Sequence, residues 1–449
     1  MSSFDGRPSP ATRPSVPSYV QWRGTMRTPH IAALGLAAAV VVGASACSAS
    51  AEDSGPISLR MTLWSSAQPH LDLFNSIAND YLSEHPDVKE ITFDSLPYED
   101  YLTTLTTQIA GGESPDLAWI PEASSPDFIA DSALAPLTEA FRATEGYDYD
   151  DILEPLTPLW SQDGQLVAYP FSNSPFMVYV NEDLVAAAGL PSVAQMQEAG
   201  DWTWQDLFTA AAQIHAVTGK QGLLVKNFDY QAWHQLRQIW QGWDAYAWSA
   251  DGKECQFTSP EMVSAFEAIH DAIFVGQAMP GPGTTADFAA GDVAFQVAQI
   301  SQAAPLANVS FPWSITHLPT GPAGEYAIVG QAGMGVLASG EHVAAATDFL
   351  AFLTAPENAA KLAQFFPPPR QSLLTAETLA AANPLIKKEQ LQDAVVSQVP
   401  LAARPLVHTG WAEIQQTARA ALDAMWVPDA DVEQVLDATC QAIDPLLEQ

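Results

Sequence analysis

The chain has 449 residues, with 17 lysines and arginines against 52 aspartates and glutamates, for a formal net charge of −35 at pH 7. So acidic a chain repels polyanions, which excludes nucleic acid and anionic lipid head groups as partners. Three cysteines, with no CxxC and no Cys/His cluster, argue against a structural zinc site, and no metal or cofactor is expected.

The first element in chain order is a leader. "MSSFDGRPSPATRPSVPSYVQWRG" is rich in Pro and Ser and lacks a helical pattern; Met26 is an alternative start. The apolar run from Ile31 to Ala46 is 16 residues long, short of the roughly 20 that a bilayer-spanning helix needs. Arg23 and Arg27 precede it, and Gly43, Ala44, Ser45 and Ala46 lead directly to Cys47. This is the layout of an export signal, so residues 1–46 are expected to be removed; a buried core helix is the alternative. The ending "ASAC" resembles the lipobox of bacterial lipoproteins. That resemblance implies a lipid on Cys47, with residues 47–56 as a tether and the outer face of the cell membrane as the location. The remaining 403 residues carry 13 basic and 51 acidic side chains, a net charge of −38. That length exceeds what one core usually serves, so two domains are expected.

"ISLRMTLW" (57–64) alternates like a strand. "HLDLFNSIANDYLSEHP" places Leu71, Phe74, Ile77, Ala78 and Tyr81 at helical spacing. "VKEITFDSL" reads as a second strand. In "YEDYLTTLTTQIAGG", Tyr98, Tyr101, Leu102, Leu105 and Ile109 share a helix face, and "PDLAWI" is a third, wholly apolar strand. Strand, helix, strand, helix, strand predicts a parallel α/β sheet. Ligands of such sheets bind beyond the carboxyl ends of the strands. Here those ends are Trp64, Ser65 and Ser66, and Trp119, Pro121 and Glu122. The later half is richer in helices (260–276, 347–366, 410–426 and 431–447), with strand-like pieces at 292–299, 311–319 and 326–338 between them.

The chain resembles the extracytoplasmic solute-binding proteins of ABC importers, in the sugar-binding branch that includes maltose-binding protein. The resemblance rests on "MTLW", "IAGGESPDLAWI", "DGQLVAYPFSNSPFMVYVNEDLVAAAGL", "DWTWQDL", "DFAAGDVAFQV", "WSITHLPTGPAGEYAIVGQAGMGV" and "ATDFLAFLTAPENAAKLAQ", in that order. It implies a two-lobed α/β periplasmic-binding-protein-like fold with hinge crossings at "YPFSNS", "IVGQAG" and "PPPRQS". Lobe 1 would take 57–170 and 333–368, and lobe 2 would take 171–328 and 372–449. It further implies a small carbohydrate in the cleft, an ABC permease as partner, a monomer, and no catalysis.

A pyranose needs aromatic platforms for its C–H faces and paired donors and acceptors for its hydroxyls. Of 13 tryptophans, Trp64, Trp119, Trp233, Trp243 and Trp411 fall where loops should meet the cleft. Trp411 opens a helix where family members place an aromatic over the sugar. "DYQAWHQLRQIWQGW" (229–243) is the densest aromatic and polar stretch and contributes Tyr230; Trp233 and Trp240, seven apart, would share a helix face, with core packing as the alternative. Ser66, Glu122, Asn173, Ser174, Gln299 and Gln331 supply polar candidates. Gly333 would let backbone approach the ligand, and Arg370 would either bind a ligand oxygen or pair with a carboxylate. Export would place Cys255 and Cys440 where paired thiols oxidise, so they form a disulfide or remain two small buried residues. The rival readings are a secreted glycosidase-like enzyme, for which no carboxylate spacing is informative in so acidic a chain, and a binder of a polyol or glycerophosphodiester.

Overall fold

The computed structural model describes residues 56–448 apart from 404. The expected signal peptide, Cys47 and nearly all of the tether lie outside these residues. Strand β1 (Ile57–Leu63), helix α1 (Gln68–Glu84), β2 (Val88–Ser95), α2 (Tyr98–Ala110) and β3 (Leu117–Pro121) follow one another as the hydrophobic spacing predicts. β1 pairs in parallel with both β2 and β3. One residue differs on α1: His70, rather than Leu71, joins Phe74, Ile77, Ala78 and Tyr81 on the buried face.

The next elements are β4 (Ala168–Asn181), α3 (Trp204–Thr218), β5 (Gln221–Val225), α4 (Pro260–Phe274), β6 (Val293–Gln299), β7 (Trp313–Thr316) and β8 (Val329–Val336). Three further helices are α5 (Val343–Thr354), α6 (Trp411–Leu422) and α7 (Val432–Leu447). Local chemistry sets several helix starts. Thr203 and Asp206 form a reciprocal capping box on α3, while Ser259 and Asp431 cap α4 and α7.

The strands form one path in the order β2-β1-β3-β8-β4-β6-β5, with β7 also on β4. β4 joins its two halves. Its first part pairs with β8, with Asn173 opposite Gln331, and its second part pairs with β6 from Phe176 onward. Side chains alternate across a strand. Accordingly Val178 and Val180 enter one core, while Met177 and Tyr179 enter another on the opposite face.

A first core gathers residues from Leu59 to Phe171 and from Ala332 to Phe366. A second gathers residues from Val178 to Val297 with the C-terminal helices, and a smaller third core covers the other face of β4 and β6. The segments that pass between them lie at β4, at β8 and at 367–372. All three are tied together at one level: Asn173 N–H donates to Pro367 O at 3.0 Å, and Gln331 Nε2 donates to Asn173 Oδ1 at 2.7 Å.

Cys255 and Cys440 are joined by a disulfide, with Cα atoms 5.4 Å apart across 185 residues of sequence. The bond ties the 249–257 loop to α7, and Cys255 N–H also donates to Asp444 Oδ1 at 3.2 Å. The helix expected to carry Trp233 and Trp240 on one face is interrupted. It folds as a 3-10 turn (Trp233–Leu236), four α-helical residues (Arg237–Trp240) and a second 3-10 turn (Gln241–Trp243). Trp233 and Trp240 still stack, 6.0 Å apart, and both are fully buried, so the core-packing alternative holds for them.

Candidate ligand-binding cleft

The first wall is built at the carboxyl ends of β1 and β3. Tyr101, on α2, donates its hydroxyl to Thr62 O at 3.0 Å and Trp119 O at 2.8 Å, which pins the two strand ends side by side. Trp64 leaves β1 there, half-buried, and meets Tyr98, Tyr101 and Trp119 edge-on at 5.8, 5.0 and 4.9 Å. Tyr98 is largely exposed, because it begins α2 rather than facing the core. Trp119 is 1% exposed and packs on Phe171 at 4.7 Å. Ser66 is exposed. Beside it, Ser65 Oγ lies 2.7 Å from Nδ1 of His70, whose ring is buried against Phe365 and Phe366. That burial pulls the His70 pKa down to about 4, so the ring is neutral at pH 7.

Glu122 follows β3. Its carboxylate accepts the Gln331 N–H at 2.6 Å and faces Arg237 Nη1 at 3.4 Å. Burial pushes its pKa up, and Arg237 and the Gln331 N–H only partly offset that, so the net shift is upward. Arg237 comes from the second core, where it sits among Leu236, Ile239 and Trp240, and its Nη2 also reaches Ala403 O at 3.5 Å. A second carboxylate makes a parallel link. Asp127 Oδ1 accepts the N–H of Gly410, at 2.8 Å, at the start of α6. Two carboxylates from the first core's 122–130 segment thus meet a guanidinium and a helix N-terminus of the second.

The second wall centres on Trp411, 8% exposed, which contacts Trp233 at 6.0 Å, Trp248 at 6.1 Å and His234 at 5.6 Å. Burial lowers the His234 pKa to about 4. Trp233 Nε1 donates to Gln415 O at 3.0 Å, fastening α6 to the tryptophan beneath it. A small recess beside Arg237 is lined by Trp240, Gln241, Tyr246, Trp248 and Leu406.

The remaining candidates lie elsewhere. Asn173 is fully buried and donates to Pro170 O at 2.7 Å, so its polar atoms serve the crossing. Ser174 Oγ accepts the Ile300 N–H at 3.2 Å, and Gln299 Nε2 donates to Ser174 O at 3.1 Å, sewing β4 to β6. The space a Cβ on Gly333 would need is taken by the Trp160 ring, 2.6 Å away, so its smallness serves packing rather than ligand approach. Arg370 takes the structural course among its alternatives. It is fully buried, donates to Thr354 O at 3.0 and 3.2 Å and to Asp148 O at 2.9 Å, and lies 3.8 Å from Asp151. Tyr230 packs on Phe228 and Trp426 and donates its hydroxyl to Pro280 O. Trp243 is half-buried against the second core.

Structure therefore brings Glu122, Gln331 and Asn173 into one hydrogen-bonded chain, pairs Trp64 with Trp119, and pairs Trp233 with Trp411. Sequence reasoning missed Arg237, Asp127 and Gly410. A basic residue inside the aromatic 229–243 stretch was the available signal for Arg237; Asp127 and Gly410 carry none, since 283 residues separate them.

Residues 76–388 match the description "Bacterial extracellular solute-binding protein". The chain belongs to that family. Among curated proteins it is similar to the sn-glycerol-3-phosphate-binding periplasmic protein UgpB of Escherichia coli (strain K12), 26% identical over 313 residues, spanning 64% of this chain and 68% of that one. Among solved structures it is similar to the cyclic alpha-maltosyl-1,6-maltose binding protein of Arthrobacter globiformis (22% identity, TM-score 0.68, 88% of this chain and 100% of that one). It is also similar to Lmo0181 of Listeria monocytogenes, solved in complex with cycloalternan (20%, TM-score 0.74, 87% and 98%), and to the GacH receptor of Streptomyces glaucescens (19%, TM-score 0.71, 88% and 99%). The likenesses to solved structures show the two-lobed binding-protein fold, and the family match makes this an extracytoplasmic solute-binding protein.

Proposed function

We propose that this protein captures a carbohydrate between its lobes and delivers it to the membrane subunits of an ABC importer, working as a monomer without catalysis. One observation carries the reading. The Glu122–Arg237 pair spans from one core to the other, and each core also carries paired aromatic rings, Trp64 with Tyr98 in the first and Trp411 with Trp248 in the second. Aromatic faces suit the C–H surfaces of a pyranose, and charged donors and acceptors strengthen bonds to its hydroxyls. Trp64, Ser66, Glu122, Trp243 and Trp411 are the ligand contacts we favour. Neighbours solved with cycloalternan and with acarbose agree with this ligand class.

Lobe 1 would comprise 57–170 with 333–368, and lobe 2 would comprise 171–328 with 372–449, Arg370 anchoring the third crossing. Cys47 would carry a lipid that holds the protein at the outer face of the cell membrane. A ligand that binds only the folded state must raise its stability. A thermal-shift screen against neutral mono-, di- and trisaccharides is therefore expected to yield at least one stabilising sugar, and turnover of a chromogenic glycoside would overturn the reading. Cys47→Ala is expected to release the protein from the membrane fraction.

A further inference from the structure

We infer that the paired carboxylates of the 122–130 segment make the cleft selective for uncharged, hydroxyl-rich solutes and exclude phosphate esters. The inference rests on the carbohydrate reading and extends it to the charge of the ligand. It separates this chain from the ligand in the name of its E. coli relative, sn-glycerol-3-phosphate.

A phosphate site offers positive charge that the protein leaves for the ligand, usually an arginine fork or a helix N-terminus. Both features stand at this lobe junction, and each already faces a carboxylate from the opposite lobe. Arg237 Nη1 faces Glu122 Oε1 at 3.4 Å, and the Gly410 N–H that opens α6 donates to Asp127 Oδ1 at 2.8 Å. A phosphate group entering here would have to displace a carboxylate or sit beside one; like charges repel strongly beside Glu122, which is largely withdrawn from solvent, and less strongly at the solvent-exposed Asp127–Gly410 bond. The Glu122 and Arg237 side chains are 15% and 8% exposed, so little solvent screens that repulsion. The field of the whole chain acts in the same sense, since a net charge of −35 slows the approach of anions. A neutral sugar meets none of these costs. Its hydroxyls can donate to Glu122 and accept from Arg237 while the pair stays balanced.

The test is titration calorimetry on the full chain in mild detergent, with sn-glycerol 3-phosphate and inorganic phosphate as anionic probes and the stabilising sugar from the screen as the neutral one. The unaltered protein should show no heat of binding with either anion. Glu122→Gln with Asp127→Asn, which removes both negative charges and keeps hydrogen-bonding groups, should show a measurable heat of binding with sn-glycerol 3-phosphate, a gain of at least about tenfold over the detection limit that the unaltered protein sets, and one that shrinks with added salt. Binding of sn-glycerol 3-phosphate by the unaltered protein overturns the inference, as does a folded double variant without that gain. If the double variant fails to fold, Asp127→Asn alone carries the test, because Asp127 is at the surface end of the junction. Absence of any sugar ligand would instead sink the carbohydrate reading, and the two failures are read from separate titrations.

Discussion

Glu122 Oε1 lies 3.4 Å from Arg237 Nη1, and that contact joins the end of β3 to the densest aromatic stretch of the second core. The carboxyl group is buried, and its pKa stands above the ordinary carboxylate value of 4.5. Below pH 4.5 the group is protonated in both folded and unfolded chains. As pH rises, the unfolded chain ionises first, so this contribution to stability is lost as pH climbs from 4.5 through the folded pKa. The stability of the unaltered protein minus that of Glu122→Gln should therefore fall with rising pH above 4.5. Parallel denaturant titrations measure it, and a flat difference would contradict the assignment.

Two histidines act in the opposite sense. His70 and His234 have pKa values of about 4 against an ordinary 6.5, because burial disfavours their charged forms. Their contribution is present above pH 6.5 and is lost as pH falls from 6.5 towards 4, on the order of 3 kcal/mol for each. His70→Gln and His234→Gln should each flatten the acid limb of the stability profile over that window. Ring resonances assigned to His70 or His234 that titrate near pH 6.5 in the folded protein would refute this.

The tryptophans divide by burial. Trp119, in the interior between Trp64 and Phe171, is a core residue, and Trp119→Ala should cost about 3–5 kcal/mol of stability. Trp64 is half-buried, so Trp64→Ala should spare the fold and weaken sugar binding by about tenfold or more. Trp411→Ala should lower both, since its ring packs on Trp233 and Trp248. Denaturation midpoints and sugar titrations on the three variants separate the roles.

The disulfide closes a 185-residue span, which the chain-entropy model converts to a stabilisation of at most about 5 kcal/mol. Reductant should lower the melting temperature, and Cys255→Ala with Cys440→Ala should melt at the same temperature with or without it. Alkylation of the unfolded, unreduced protein should leave both cysteines unmodified by intact mass.

How much of this was legible in the sequence depended on the range of the interaction. Hydrophobic periodicity is a local property of a pleated strand or a helix. It placed the first β-α-β-α-β run and the carboxyl-end positions Trp64, Trp119 and Glu122, because each depends on neighbours within a dozen residues; the three crossings came instead with the family resemblance. Motif order identified the family for the same reason. Whether an aromatic becomes platform or core is decided by what packs against it from distant chain. Thus Trp119 and Trp233 went inward, and Arg370 spent its donors on Thr354 and Asp148. The basic residue in the aromatic 229–243 stretch marked Arg237 locally, but nothing local marked its pairing with Glu122, or that of Asp127 with Gly410. In a chain with 52 acidic residues, only the tertiary fold selects which carboxylates face a positive partner, as Glu122 does largely out of water and Asp127 does at the surface.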